Sequence, residues 1–366
     1  MIGEKDMKSQ RIMLWGWYGF ENLGDDLLLY TMLNHLHGDI TVPMQKPYAL
    51  SGVTQVKRSY GSLVRGAFCH DVVIIGPGGL FPFDNKSKVL LYYLIMRLWI
   101  LMGREVIFFG IGISEKMCNL SAILWRRMAK TADLFITRSE NVLERLKLIE
   151  SKEIHAMADC VFASDVANKT GYPEKNRVAI SVANLQNDNQ KAFDDTVEKW
   201  SVVVKKLINK GYSVDLIAFT KGTDDRMINA ILKNLKNWRM VQPVYYSQAT
   251  NAVSSWNRYK FAICMRFHSL VLSILNDVPA IPIAYGHKTF SLAEKCGLND
   301  YLLVWNTYQS EYFGKTIDIS ASQILEKVDL LCSSIDSAKT EMLKNKCSLI
   351  ESASTAFIQL EKLLNQ

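Results

Sequence analysis

At 366 residues the chain is long for a single hydrophobic core and comfortable for two domains of roughly 150–180 residues each. Hydrophobic residues make up 49% and charged residues 22%, with no Pro-, Gly- or charge-rich tract, which excludes extensive disorder. The net charge of +7 is spread along the chain rather than gathered in a basic run. That argues against a nucleic-acid partner and fits an anionic small substrate or an anionic membrane surface.

The seven cysteines, at positions 69, 118, 160, 264, 296, 332 and 347, include no CxxC spacing, and most sit in apolar runs such as Ala262–Met265. They are expected to be reduced core residues with no zinc site among them. Met1–Gln10 is polar and lacks a signal-peptide core, so a cytoplasmic location is expected.

Short apolar runs then alternate with longer amphipathic segments, the pattern of βαβ units and parallel sheets. Arg11–Trp17 predicts a strand, Leu27–Leu36 a helix and Asp71–Ile75 a strand. Val89–Met102, VLLYYLIMRLWILM, is apolar over 14 residues with Arg97 inside. A bilayer span needs about 20 apolar residues, so this segment reads as a crossover helix buried against a sheet. A second reading leaves an aromatic face of Tyr92, Tyr93 and Trp99 for peripheral contact with a membrane. Glu105–Phe109 predicts a strand, Leu120–Lys130 a helix, Leu134–Thr137 a strand, Glu140–Ile149 a helix and Ile154–Ala156 a strand.

The polar stretch Asn168–Asn176, with Gly171 and Pro173, predicts an interdomain linker. The rhythm restarts with strand Arg177–Ala183, helix Phe193–Lys210 closed by Gly211, strand Ser213–Phe219 and helix Asp224–Leu235. Strand Phe261–Cys264, helix Ser269–Leu275, strand Ala280–Ile283 and helix Phe290–Cys296, closed by Gly297, follow. Ser320–Gln366 is polar with a helical pattern and is expected to pack back across the domain junction. The expectation is an α/β chain of two doubly wound domains, residues 1–170 and 171–366, facing a central cleft. Its ligands would then lie outside the carboxyl ends of the strands.

The unusual clusters fall at those strand ends. Gly16-Trp17-Tyr18-Gly19-Phe20-Glu21-Asn22-Leu23-Gly24-Asp25-Asp26 lies between the first strand and first helix. It reads either as a turn with a capped helix or as a loop in which Asn22, Asp25 or Asp26 faces a ligand. Gly76-Pro77-Gly78-Gly79-Leu80-Phe81 and Gly110-Ile111-Gly112-Ile113-Ser114 each follow a strand. Both are either tight turns or loops whose backbone amides face an anion, with Gly78, Gly79 and Gly112 as the candidates. In Thr137-Arg138-Ser139-Glu140, Ser139 suits an N-cap and leaves Arg138 at the strand end to grip a carboxylate or phosphate. Asp159 either lines the cleft or caps the next turn, and the cap is the favoured reading.

In the second half, Cys264-Met265-Arg266-Phe267-His268-Ser269 carries Arg266 and His268 two residues apart, pointing the same way if the segment is extended. An arginine beside a histidine at a helix start suits an oxyanion and a proton carrier. Ala284-Tyr285-Gly286-His287-Lys288 ends the next strand and adds the charge of Lys288.

Taken in order from about Leu14 to Gly297, these motifs resemble the polysaccharide pyruvyltransferases. The resemblance implies a GT-B-like fold of two Rossmann-like domains. It implies phosphoenolpyruvate as donor and a pyruvate ketal on a bacterial surface glycan, or on its lipid-linked precursor, as product. It also implies that Arg138, Arg266 and His268 hold the donor. Lys288 is expected to add a second positive charge there, His268 to carry the proton, and Asp25 or Asp26 to accept one from a sugar hydroxyl. Neither a metal nor another cofactor is expected. Gly286 or His287 stands where the family often has Asp or Asn. The alternatives are a GT-B glycosyltransferase using a nucleotide sugar, or a catalytically silent scaffold in polysaccharide assembly.

Overall fold

A computed structural model describes residues 10–81, 85–113, 117–151, 153–166, 174–184, 189–235, 239–305 and 318–365. Residues 1–9, Ser114 and the expected linker up to residue 173 lie outside the described residues. The chain forms two compact units. The first is Met1–Glu21, Asp25–Ser164 and Leu349–Gln366, and the second is Asn22–Gly24 with Asp165–Ser348.

The first unit contains β1 (Arg11–Trp15), α1 (Leu23–His35, from Asp25 onward), β2 (Asp39–Met44), β3 (Val53–Lys57), α2 (Tyr60–Cys69), β4 (Val72–Ile75) and β5 (Gly78–Phe81). It continues with α3 (Lys86–Leu101), β6 (Glu105–Ile113), α4 (Asn119–Thr131), β7 (Leu134–Thr137), α5 (Glu140–Leu146) and β8 (Ile154–Ala156). All pairings are parallel, in the order β3-β2-β1-β4-β6-β7-β8, and β5 pairs with the far end of β6. Strands such as β4, buried along its length as VVII, read as continuous apolar runs because both faces are covered. One core gathers Trp15, Ile75 and Phe108 from the sheet with Leu63, Trp99, Trp125 and Leu146 from α2, α3, α4 and α5.

The second unit contains β9 (Arg177–Ser181), α6 (Gln190–Asn209), β10 (Ser213–Ile217), α7 (Thr223–Asn234), β11 (Val241–Val244), α8 (Tyr246–Ser254) and β12 (Phe261–Cys264). Then come α9 (Phe267–Leu275), β13 (Ala280–Ala284), α10 (His287–Lys295), β14 (Leu303–Val304), α11 (Ala321–Ser333) and the start of α12 (Ile335–Leu364). Its parallel sheet runs β11-β10-β9-β12-β13-β14, so the strand order reverses between β9 and β12. In the first sheet the same reversal falls between β1 and β4. These are the points where doubly wound sheets open a crevice at their carboxyl ends.

Several expectations need correction. Residues 349–366 cluster with the first unit rather than the second, because Phe357 stacks on His35 with ring centroids 3.9 Å apart and packs against Phe109 at 4.8 Å. Ser352 Oγ also accepts a hydrogen bond from the Ala158 amide (3.0 Å). Conversely, Asn22–Gly24 belongs with the second unit, where the Leu23 amide donates to the Phe219 carbonyl (2.8 Å) and Asn22 bridges Thr220.

The two glycine loops are partly strand. β6 runs on through Gly110–Ile113 with a register shift, pairing Ile111 with both Gly78 of β5 and Thr137 of β7. Tyr92 and Trp99 do not form an outward aromatic face: both are buried, and Trp99 Nε1 donates to the Leu63 carbonyl (3.0 Å).

Candidate active site

In the second unit the site grows from the carboxyl ends of β9, β10 and β12. Ser181 ends β9, and its hydroxyl accepts from the amides of Met265 (3.1 Å) and Arg266 (3.2 Å). The same hydroxyl meets Ser269 Oγ at 2.6 Å, and Ser269 Oγ donates to the Arg266 carbonyl (2.5 Å). These bonds fix the strand-to-helix turn on both sides of Arg266.

Arg266 is the N-cap of α9, with φ −80° and ψ 134°. The helix therefore starts at Phe267 rather than Ser269, and His268 is its second residue, so the expected extended Arg-Phe-His segment does not form. Direction is set instead by separate partners.

Arg266 Nε donates to Asp224 Oδ2 (3.0 Å), and Nη2 bonds to Oδ1 of the same carboxylate. Asp224, in the first turn of α7, has a fully buried side chain and also accepts from the amides of Phe219 and Thr220 at 3.0 Å each. Burial opposes the charge on Arg266, but Tyr285 and Asp224 outweigh it and raise its pKa, so the guanidinium stays charged. Two donor positions of the fork are committed to Asp224, and the side chain is still 20% exposed. A bidentate clamp of this kind holds the guanidinium plane at a fixed angle.

His268 is buried and packs edge-on to Phe267, with ring centroids 5.2 Å apart. Its Nδ1 would lie 2.2 Å from a Cβ added to Gly24, so only glycine fits there. Gly24 is held by its amide donating to Asn22 Oδ1 (2.9 Å). The Asn22–Gly24 part of the first motif thus abuts His268, and it bridges the Phe219–Thr220 backbone that holds Asp224. Lys288, exposed on the first turn of α10, places Nζ 5.4 Å from the Phe267 ring. Arg266, His268 and Lys288 are thereby gathered around Phe267. Burial pushes the Cys264 thiol up to about 11, which makes this neighbour a core residue rather than a nucleophile.

In the first unit, Arg138 follows β7 and its Nη1 meets Asp159 Oδ2 at 3.4 Å, with 15% and 1% of the two side chains exposed. Asp159 also caps the following 3₁₀ turn by accepting from the Val161 amide (3.1 Å), as the sequence favoured. Ser139 occupies the N-cap of α5 but makes no side-chain capping bond. A Cβ on Gly112 would come within 2.8 Å of Arg138 Nη2, so this glycine makes room for the guanidinium.

Tyr18 is buried and donates to the Gly76 carbonyl (2.8 Å), pinning the loop after β4 to the loop after β1. A Cβ on Gly78 would lie 3.8 Å from Asp25 Oδ1, whereas Gly79 is exposed with open space around it. Asp26 accepts from Tyr48 (3.3 Å). Burial and Asp26 together push the Tyr48 hydroxyl up.

Sequence reasoning missed Asp224, Ser181, Tyr18 and Arg58. Asp224 had a usable signal, since Thr220–Asp224 follows β10 and opens a helix like the other clusters. Arg58, just beyond β3, stacks on Trp15 (4.4 Å) and Trp17 (4.7 Å) and donates to the Gly16 carbonyl (3.1 Å). It lies outside the glycine-rich and Arg–His clusters, so no motif marks it. Among the described residues no group of three or more His, Cys, Asp or Glu is placed to hold a metal ion.

Solved structures with this architecture span nearly the whole chain at low identity. A Listeria monocytogenes protein assigned as a UDP-N-acetylglucosamine 2-epimerase matches with TM-score 0.63 and 9% identity, covering 97% of each chain. The UDP-GlcNAc 2-epimerase of Neisseria meningitidis matches at 0.55 and 10% identity, over 96% of this chain and 99% of its own. A glycosyltransferase of Rickettsia africae matches at 0.56 and 12%, over 97% of each chain. At these identities the likeness is one of fold, two parallel-sheet α/β units of the GT-B type. No curated protein matches the chain in sequence. The profile of the family described as "Polysaccharide pyruvyl transferase" matches residues 22–287, which take in Asn22–Gly24, Arg138, Asp224, Arg266 and His268, and the chain belongs to that family.

Proposed function

We propose that this transferase moves the pyruvyl unit of phosphoenolpyruvate onto two hydroxyls of one sugar in a bacterial cell-surface polysaccharide or its lipid-linked precursor. The observation that carries the reading is the Arg266–Asp224 fork at the N-terminus of α9, with His268 in the first turn of the same helix. A small dianion suits such a place, since an oriented guanidinium, a helix N-terminus and the nearby Lys288 all favour negative charge. Arg138 is the arginine assigned to donor binding in the first unit, where Asp25 and Asp26 are assigned to the acceptor sugar.

The reaction adds a proton to C3 of the enol phosphate and joins a sugar oxygen to C2. A second hydroxyl of the same sugar then displaces inorganic phosphate from C2 and closes the ketal. Of the two hydroxyl protons lost, one balances the proton gained at C3 and the other leaves with phosphate. His268 supplies the proton to C3, because an imidazole can hold and release one near neutral pH. Asp25 or Asp26 takes a proton from the attacking hydroxyl.

Incubation with phosphoenolpyruvate and glycan acceptors, following phosphate release and the mass gain of the ketal, tests this reading. The expected outcome is acceptor-dependent phosphate release that Arg266→Ala and His268→Ala each abolish in folded protein. Release of nucleotide from a nucleotide sugar, with phosphoenolpyruvate untouched, would replace the reading with glycosyl transfer.

A further inference from the structure

Helices α2, α3 and α4 cover one side of the first sheet, with α3 packed between the other two. Their inward residues are buried as expected, but their outward residues are not those of an ordinary solvent face. On α3, Leu90, Leu91 and Leu94 are exposed, Leu94 by 55%, and Leu101 at the helix end is 75% exposed. Phe68 on α2 is 57% exposed, and Ile123 on α4 is exposed as well. A helix facing water carries charge in those positions, and clustered exposed apolar side chains mark a surface that meets something.

The charge on the same helices is one-sided. Their sequences, YGSLVRGAFC, KSKVLLYYLIMRLWIL and NLSAILWRRMAKT, contain no Asp or Glu. Arg65, Lys86, Lys88, Arg127 and Lys130 are exposed on them. None of those five enters an ion pair among the described residues. Of the acids that follow these helices, Asp71 and Asp133 are turned to other work. Asp71 is held by Arg11 and Arg104, and Asp133 accepts from the Val106 amide.

We infer that the outer face of α2, α3 and α4 docks on an anionic lipid bilayer, its leucines entering the headgroup boundary and its lysines and arginines meeting lipid phosphates. Apolar insertion and basic charge are the two terms that hold an amphipathic surface on such a membrane. A second copy of the chain fits less well, because pairing this face with itself opposes like charges. No helix of the described residues is long and apolar enough to cross a membrane, so the contact is a surface one. The inference goes beyond the proposed reaction and does not depend on it.

Co-sedimentation of the full chain with vesicles tests it, using phosphatidylcholine mixed with phosphatidylglycerol against phosphatidylcholine alone. Binding to the anionic vesicles alone, weakening as salt is raised, is expected. The Lys86→Gln/Lys88→Gln/Arg127→Gln variant should lose affinity on the order of 100-fold, about fivefold per charge. Leu90→Gln/Leu94→Gln should also weaken binding, while circular dichroism and phosphate release with soluble substrate stay at wild-type levels. No binding to anionic vesicles, or binding that both variants keep, overturns the inference. So does a wild-type dimer in light scattering that ignores vesicles and that the leucine variant splits into monomers.

Discussion

Replacing Asp224 with Asn tests whether a buried carboxylate, rather than α9 alone, orients Arg266. Asp224 Oδ2 accepts from two backbone amides and from Arg266 Nε, while Oδ1 faces Arg266 Nη2. An Asn can keep its oxygen toward the amides, but its NH2 group then meets the guanidinium donor against donor. The amides stay satisfied, so the loss to stability is one charge-assisted contact, about 1.5–3 kcal/mol. Asp224→Ala would add two orphaned buried amides at about 1–3 kcal/mol each, a large part of what a domain has, so Asn is the informative change. Arg266 keeps its charge but loses its fixed angle, so the effect should concentrate in the KM for phosphoenolpyruvate, raised about tenfold or more, as the loss of about 1.4 kcal/mol of oriented binding requires. Urea unfolding and steady-state phosphate release measure the two effects on the same protein. A folded Asp224→Asn enzyme with wild-type KM for phosphoenolpyruvate would refute the positioning role.

Gly24→Ala should cut turnover at least tenfold, because the new Cβ would stand 2.2 Å from His268 Nδ1 and must displace the imidazole or the Asn22–Gly24 segment; overpacking of this kind costs about 1–3 kcal/mol, and unchanged kcat in the folded variant would remove Gly24 from the argument. Asp71 gives a pH signature away from the site. Its hydrogen bond with Arg11 lowers its pKa from 3.8 to about 2, so its stabilising effect is complete above about pH 4 and disappears as pH falls through 2. Asp71→Asn should therefore cost about 1 kcal/mol at neutral pH, reduced by solvent screening because 35% of the side chain is exposed, and only a small part of that at pH 2. An equal cost at both pH values in denaturant titrations would show that the Asp71 charge is not the source.

The parallel sheets were legible because strands covered on both faces read as unbroken apolar runs. Leu134–Thr137 and Phe261–Cys264 fall where the pattern placed them. Val53–Lys57 and Val241–Val244 were not legible, since they stand at the sheet edges beside β2 and β10, carry polar residues such as Gln55 and Gln242, and are partly exposed. β5 was hidden for a different reason. Its pairing depends on β6 bending past Gly110, at φ 59°, and on Gly78, at φ 115°, and backbone of that shape looks like a loop in sequence.

The candidate positions stand out in the sequence because they sit at strand ends, but their mutual support does not. Arg266 and His268 are two apart in the chain, yet each is set by a distant segment, Arg266 by Asp224 and His268 by Gly24. Those two segments are joined in turn, for Leu23 bonds the carbonyl of Phe219, whose own amide bonds Asp224. One short antiparallel bridge therefore ties the orientation of the guanidinium to the placement of the imidazole. Changes on either side of that bridge should couple. The double variant Asp224→Asn/Gly24→Ala should lose less activity than the product of the single losses, because either change alone already loosens the shared backbone. Independent, multiplicative losses would instead show two separately built halves that happen to adjoin.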